Sequence, residues 1–198
     1  PRCTAGGEVM ITASYLTLAG STHGEPPRYS MLERAKAAHA AGIASIGVRL
    51  DEPFSISALR YVQIPECEWI DLSQPVTPHT GNDLWAMANL LGVTRVNAGV
   101  CLHDVTPGQA AGNLRRLLGY TARLDMTVAV EPVAFGSFPA IAQIADVIRQ
   151  AGDRAGLLYD FTQVNLAHEL DYLHLSRLPV VAEIQACGFR RGDDRDPF

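Results

Sequence analysis

The chain has 198 residues, 47% of them hydrophobic, which is enough for one ordinary core. Its 16 Lys+Arg against 21 Asp+Glu give a net charge of -5, and its only adjacent basic pairs are Arg115-Arg116 and Arg190-Arg191, so it lacks the electrostatic footprint of a nucleic-acid binder. No apolar run approaches the ~20 residues of a membrane span, and the N-terminus has neither the charged region nor the apolar core of a secretion signal.

Val9-Met-Ile-Thr12 reads as the first strand. Thr17 to Tyr29 is a polar Gly/Pro loop, long enough to sit over a site. Ser30, with Glu33 three residues on, makes a capping box. The helix it opens carries Met31, Leu32, Ala35 and Ala38 as apolar positions and ends at Gly42. Ala44 to Leu50 is the second strand, with Arg49 near its end. There the pattern falters. A βαβ crossover needs about ten or more residues of helix plus loops. Only Phe54 to Arg60 precedes the next apolar run, Tyr61 to Ile70, so either the helix is shortened or residues near Arg60 are missing. Pro65 demotes the start of that run, and the third strand is expected over Glu66 to Ile70.

Asp71 to Thr80 is a Pro-rich loop, and Gly81 to Leu91 is a helix with Leu84, Met87, Ala88 and Leu91 on one face. Thr94 to Gly99 is the fourth strand, Leu102 to Pro107 a loop, and Gln109 to Leu124 a helix. Met126-Thr-Val-Ala-Val-Glu131 is the fifth strand, closed by Pro132. Pro139 to Ala151 is the next helix, with Pro in its first turn. Ala155-Gly-Leu-Leu-Tyr-Asp160 is the sixth strand, Thr162 to Leu173 a helix, and Val180-Val-Ala-Glu-Ile-Gln185 the seventh strand. The four cysteines, Cys3, Cys67, Cys101 and Cys187, form no CxxC pair; they read as free thiols in a reducing compartment, so a cytoplasmic protein is expected.

Strict β/α alternation with no compositional break predicts a single α/β domain over residues 1–198, with a parallel sheet covered by helices, and favours a (β/α) barrel over an open sheet. Neither GxGxxG after the first strand nor GxxxxGK[ST] is present, which leaves dinucleotide and P-loop chemistry unsupported. Three successive strands end in oxygen-bearing side chains: Glu131, Asp160 and Gln185. In a parallel α/β protein the loops that follow strand C-termini build the ligand site. Such oxygens suit a hard divalent cation. The plain alternative is a helix cap or a turn residue.

Val128-Ala-Val-Glu-Pro132, Pro139-Ala-Ile-Ala-Gln-Ile-Ala-Asp-Val-Ile148 and Gly156-Leu-Leu-Tyr-Asp160 resemble the xylose isomerase-like TIM-barrel superfamily. Glu33 to Ile43, Ile46 to Arg49 and Leu90 to Asn97 support the likeness, which covers most of residues 9 to 188. It implies a (β/α)8 barrel whose strand eight is absent from this chain. A barrel of this kind takes about 250 residues, so the missing Met and the charged tail are expected to mean residues beyond Phe198. A barrel short of one strand has two open edges, which makes a homodimer the expected assembly.

The resemblance also implies one divalent metal ion (Mn, Mg, Co or Zn) held by Glu131, Asp160 and Gln185, with Glu131 as ligand and base together. The family's fourth ligand and second base follow strand eight. Where many members have Asp-x-x-His, this chain has Asp160-Phe-Thr-Gln163, and Gln cannot shuttle a proton. The implied substrate is a small keto-sugar or hydroxy-carbonyl compound, and the implied reaction is isomerisation or epimerisation by proton transfer beside a carbonyl. Two alternatives stay open: a dehydratase of the 3-dehydroshikimate type, suited by Gln185 and Arg49, and a metal-free binding protein on a degenerate barrel. Arg49, Glu68, Asn97, His103 and Gln163 are the candidate substrate contacts. Each has a plain reading too: a rim ion pair for Arg49, a core hydrogen bond for Glu68, backbone satisfaction for Asn97, and a loop position for His103.

Overall fold

The computed structural model describes residues 11–20, 25–49, 52–76, 82–152, 154–166 and 181–185. Seven strands, all parallel, lie side by side in chain order: β1 (Thr12–Ala13), β2 (Ser45–Arg49), β3 (Gln63–Asp71), β4 (Arg95–Gly99), β5 (Thr127–Val130), β6 (Ala155–Asp160) and β7 (Val181–Gln185). The wall they form is curved. Neighbouring strands are ~4.8 Å apart, so β4 and β7 would be about 14 Å apart in a flat sheet. Yet Asn97 Nδ2 lies 3.4 Å from Glu183 Oε1, a gap two short side chains close only if the sheet curls toward itself.

The helices are α1 (Tyr15–Ala19), α2 (Met31–Ala40), α3 (Asn82–Leu91), α4 (Pro107–Thr121), α5 (Ile141–Ala151) and α6 (Phe161–Leu166). Strand side chains alternate between the two faces. The outward set, Ile46 and Val48, Val96 and Ala98, Val128 and Val130, Leu157 and Tyr159, joins Leu114 and Leu117 of α4 and Ile144 and Val147 of α5 in one buried cluster. The apolar core is therefore the layer between sheet and helices, and the concave face is left for other side chains.

Several expectations are met and several are corrected. Ser30 and Glu33 do form the capping box of α2. The segment after β1 is not all loop: it turns one short helix, α1, closed by Gly20 in the left-handed conformation at φ 69. The stub between β2 and β3 is a shortened helix, a 3-10 turn over Ile56–Arg60. The third strand starts earlier than Pro65 suggests. Its pairing with β2 shifts register between Ser45 and Gly47, which absorbs one extra residue there and seats the proline in a bulge. The Pro65 carbonyl still accepts from Thr94 N at 2.9 Å. Helix α4 begins at Pro107, not Gln109, because Thr106 and Gln109 make a second capping box with Pro at the first position. Helix α5 starts after Pro139, with Gln143 Oε1 accepting from Ala140 N at 3.0 Å. The expected start of the first strand and the end of the Thr162–Leu173 helix lie outside the described residues.

Candidate active site

The concave face is polar. On β3 the inward positions are Glu66 and Glu68, on β4 Arg95 and Asn97, on β7 Glu183 and Gln185. Arg95 bridges two carboxylates, with Nη2 2.7 Å from Glu66 Oε2 and Nε 2.5 Å from Glu183 Oε2. Glu183 Oε1 also accepts from Gln185 Nε2 at 3.0 Å. One guanidinium thus ties β3 to β7 through β4 and fills the barrel interior, where most barrels stack aliphatic layers.

Glu68 is held differently. Its carboxylate accepts from Tyr15 N at 2.8 Å, and the residue is only 8% exposed. Burial first, then the charge of Glu66, pushes its carboxyl up to about 8, against the opposing hydrogen bond from Tyr15. Room for both carboxyl groups comes from Gly47 on β2. A Cβ there would lie 2.6 Å from Glu68 Oε1 and 2.7 Å from Glu66 Oε1. Gly47→Ala is therefore expected to lose about 1–3 kcal/mol in urea unfolding, as overpacking usually costs; unchanged stability would show that both carboxyl groups can move aside.

Glu131 and Asp160 stand at the C-terminal ends of adjacent strands, each 5% exposed and within hydrogen-bonding reach of one another. The Glu131 backbone is fixed by its N–H to Ala98 O at 2.8 Å. Asp160 Oδ1 accepts from Thr162 N at 2.6 Å, so the plain turn-residue role is also filled by one of its oxygens. Burial pushes the Glu131 carboxyl well above the usual range, and the charge of Asp160 adds to this, followed by their shared hydrogen bond and the charges of Glu68 and Glu183.

Two buried carboxyl groups facing each other are a costly arrangement that a divalent cation relieves. The donor set fits such an ion: oxygens of Glu131 and Asp160, and the Gln185 carbonyl left over once its amide donates to Glu183. Among the described residues no group of three or more His, Cys, Asp or Glu side chains stands at metal-holding distances, so a third protein ligand from this set would be an amide oxygen.

The other candidates separate. Arg49 lies over the Tyr15 ring at 5.6 Å, and Arg34 of α2 over the same ring at 4.9 Å. Arg34 is ion-paired with Glu52, whose Oε1 also accepts from Arg49 N at 3.0 Å. Asn97 is fully buried in the Glu183 cluster. Gln163 Oε1 accepts from Ala134 N at 2.9 Å, which ties α6 to the loop after Glu131. His103 is exposed in the loop after β4 and does not join the group. Phe135 and Phe161 are exposed near the strand ends, and the Trp69 ring packs on Gly99 so closely that a Cβ would come within 2.3 Å of it.

Sequence reasoning passed over Glu66, Arg95, Glu183 and Tyr15. The first three had a signal: Glu66 with Glu68, Arg95 with Asn97 and Glu183 with Gln185 are polar pairs at spacing two inside apolar strands, the mark of one face turned away from the core. Tyr15 contributes a backbone amide, which no side-chain pattern announces.

No protein-family model matches the chain, and no curated protein matches it in sequence. Solved structures do. A xylose isomerase domain containing protein from Salmonella typhimurium LT2 superposes with a TM-score of 0.67 at 20% identity, over 85% of this chain and 68% of that one. The chain has the xylose isomerase-like TIM-barrel fold. A D-allulose 3-epimerase from Methylomonas sp. gives 0.68 at 12% identity, over 90% of this chain and 72% of that one. A 3-keto-D-glucoside 4-epimerase from E. coli gives 0.66 at 11%, over 91% and 80%. Among the described residues of this barrel, no helix is long and apolar enough to cross a membrane.

Proposed function

We propose that this protein is a divalent-metal-dependent isomerase or epimerase of small keto-sugars, working by proton transfer beside a carbonyl. The observation that carries the reading is the buried Glu131–Asp160 pair at the mouth of adjacent strands. Perturbed, mutually facing carboxyl groups in a barrel mouth are what proton-transfer chemistry uses. The sugar epimerases with the same fold support the substrate class: one of them was solved with D-allulose bound.

Glu131, Asp160 and Gln185 would hold the ion, and the ion would supply Lewis acidity to a substrate carbonyl oxygen. Glu131, whose backbone is locked to β4 at Ala98 O, takes the proton from the adjacent carbon. The C–H electron pair becomes the new C=C bond while the carbonyl π pair moves onto oxygen, giving an enediolate. Gln163 keeps the loop after Glu131 in place through Ala134 N and moves no proton. Arg49 and Asn97 serve as substrate contacts on the β2 and β4 sides. A dehydratase of the 3-dehydroshikimate type is the second reading, favoured by Gln185 at the third ligand position and by Arg49, whose guanidinium suits a substrate carboxylate.

Elemental analysis after incubation with Mn, Mg, Co or Zn, paired with turnover of a ketohexose panel and 3-dehydroshikimate, tests both. About one ion per chain with ketose turnover is the expected result. Turnover of the cyclic acid alone would select the dehydratase, and no ion bound in excess cation would leave a binding protein.

A further inference from the structure

We infer that Glu183 is a positioning residue of the proposed metal site: it decides which end of the Gln185 side chain faces Glu131 and Asp160. The inference rests on that site and deepens it. An amide has two unlike ends, an oxygen that attracts a cation and an NH2 that repels one. A Gln can therefore serve as a ligand only where a neighbour fixes its orientation.

Glu183 supplies the fixed point. It stands two residues before Gln185 on β7, so both side chains lie on the concave face. Its Oε1 lies 3.0 Å from Gln185 Nε2. A carboxylate only accepts hydrogen bonds, so it can face only the NH2 end of the amide. The oxygen end is left for the other side. The strand register sets Gln185 level with Asp160 of β6, and Asp160 shares a hydrogen bond with Glu131.

Glu183 is itself anchored at both oxygens. Oε1 also lies 3.4 Å from Asn97 Nδ2, and Oε2 lies 2.5 Å from Arg95 Nε. Arg95 Nη2 in turn sits 2.7 Å from Oε2 of Glu66, whose side chain is 2% exposed. Contacts thus run from Glu66 on β3 through Arg95 on β4 to Glu183 and Gln185 on β7. The orientation of the third ligand is set from across the barrel. This gives the interior ion pairs a use that aliphatic filling, often as stable, could not supply.

Glu183→Gln keeps the size of the side chain but turns one of its oxygens into an NH2. The Arg95 guanidinium has donors alone and a full charge, so it takes the oxygen that remains. The new NH2 then faces Gln185. That amide must turn to accept from it, which swings its own NH2 toward Glu131 and Asp160.

The test titrates the metal-free protein with Mn at one fixed pH and reads the unbound ion by electron paramagnetic resonance; no substrate is involved. Wild type should bind about one Mn per chain. Glu183→Gln should weaken binding by about 10–100-fold, the usual effect of removing the partner that orients a ligand. In the Gln185→Glu background both ends of the ligand are oxygens and no orientation is needed, so adding Glu183→Gln there should cost less than about threefold. The cycle separates orientation from charge. Equal losses in the two backgrounds would mean that Glu183 acts through its charge alone, and they overturn the inference. So does Glu183→Gln binding Mn within about threefold of wild type. In both cases the proposed metal site stands. A wild type that binds no Mn even in excess overturns the inference together with the site on which it rests.

Discussion

Glu131→Gln should abolish turnover and at the same time make the metal-free protein more stable at neutral and alkaline pH. The first effect is the loss of the base, about 10²–10⁴-fold in rate. The second follows from linkage. The folded-state pKa of Glu131 lies above its unfolded value, because burial and the facing Asp160 disfavour its charge. Its contribution to stability is fully present below the unfolded carboxylate value and is lost as pH rises toward the folded value. A Gln at this position carries no charge at any pH, so the variant should gain over wild type as pH rises above the unfolded carboxylate value of about 4. A gain of ~1 kcal/mol would raise Tm by about 2–4 °C in a chain of this size. Adding a divalent cation should reverse the order, stabilising wild type and leaving the variant unchanged. Thermal melts of both proteins at pH 4 and pH 8, with chelator and with Mn, check this. Equal melting temperatures at pH 8 in chelator would mean the Glu131–Asp160 pair is not costly, and the site reading would lose its physical basis.

Arg34→Met should be the most damaging single change outside the apolar core. Arg34 and Glu52 form an ion pair whose side chains are 1% and 2% exposed. Removing one partner leaves a buried carboxylate uncompensated, which costs about 3–5 kcal/mol. The damage should also reach the site. Glu52 holds Arg49 N, Arg34 stacks on Tyr15, and the Tyr15 amide fixes Glu68. Met approximates the length of the arginine stem without its charge. The double variant Arg34→Met with Glu52→Gln removes the orphaned charge and should recover a good part of the loss, a coupling that urea titrations of both singles and the double measure. A single-variant loss below about 1 kcal/mol would place the pair in solvent-like surroundings, where ion pairs are worth that little.

The frame of this protein was legible because it repeats. The outward strand faces are apolar at spacing two and most crossover helices at 3.6, so seven strands can be read in order, while the short turn between β2 and β3 is too brief to show a period. The carboxylates at strand ends were also legible, since Glu131 and Asp160 terminate apolar runs next to a proline and a helix start. Pro65 misled because a proline argues against a strand only where its N–H is needed. A register shift in β3 removes that need, and a shift is a relation between two strands rather than a property of either. Periodicity alone starts helix α4 at Gln109, two residues late, because Pro107 resembles the end of a loop, whereas Thr106 and Gln109 form a capping box that places the start at Pro107.

By itself, the sequence determined the parallel alternation, the placement of the core between sheet and helices, and the acids at the ends of the fifth and sixth strands. These depend on periodicity and on local stops, which act over a few residues. Only the tertiary structure decided which polar groups meet. Arg95 joins Glu66 and Glu183 across β3, β4 and β7, and Tyr15 N reaches Glu68 from 53 positions away. The physical reason is curvature. Closing the wall brings inward side chains of distant strands together, and the desolvation that follows pushes the Glu68 carboxyl up to about 8 and the Glu131 carboxyl well above the usual range.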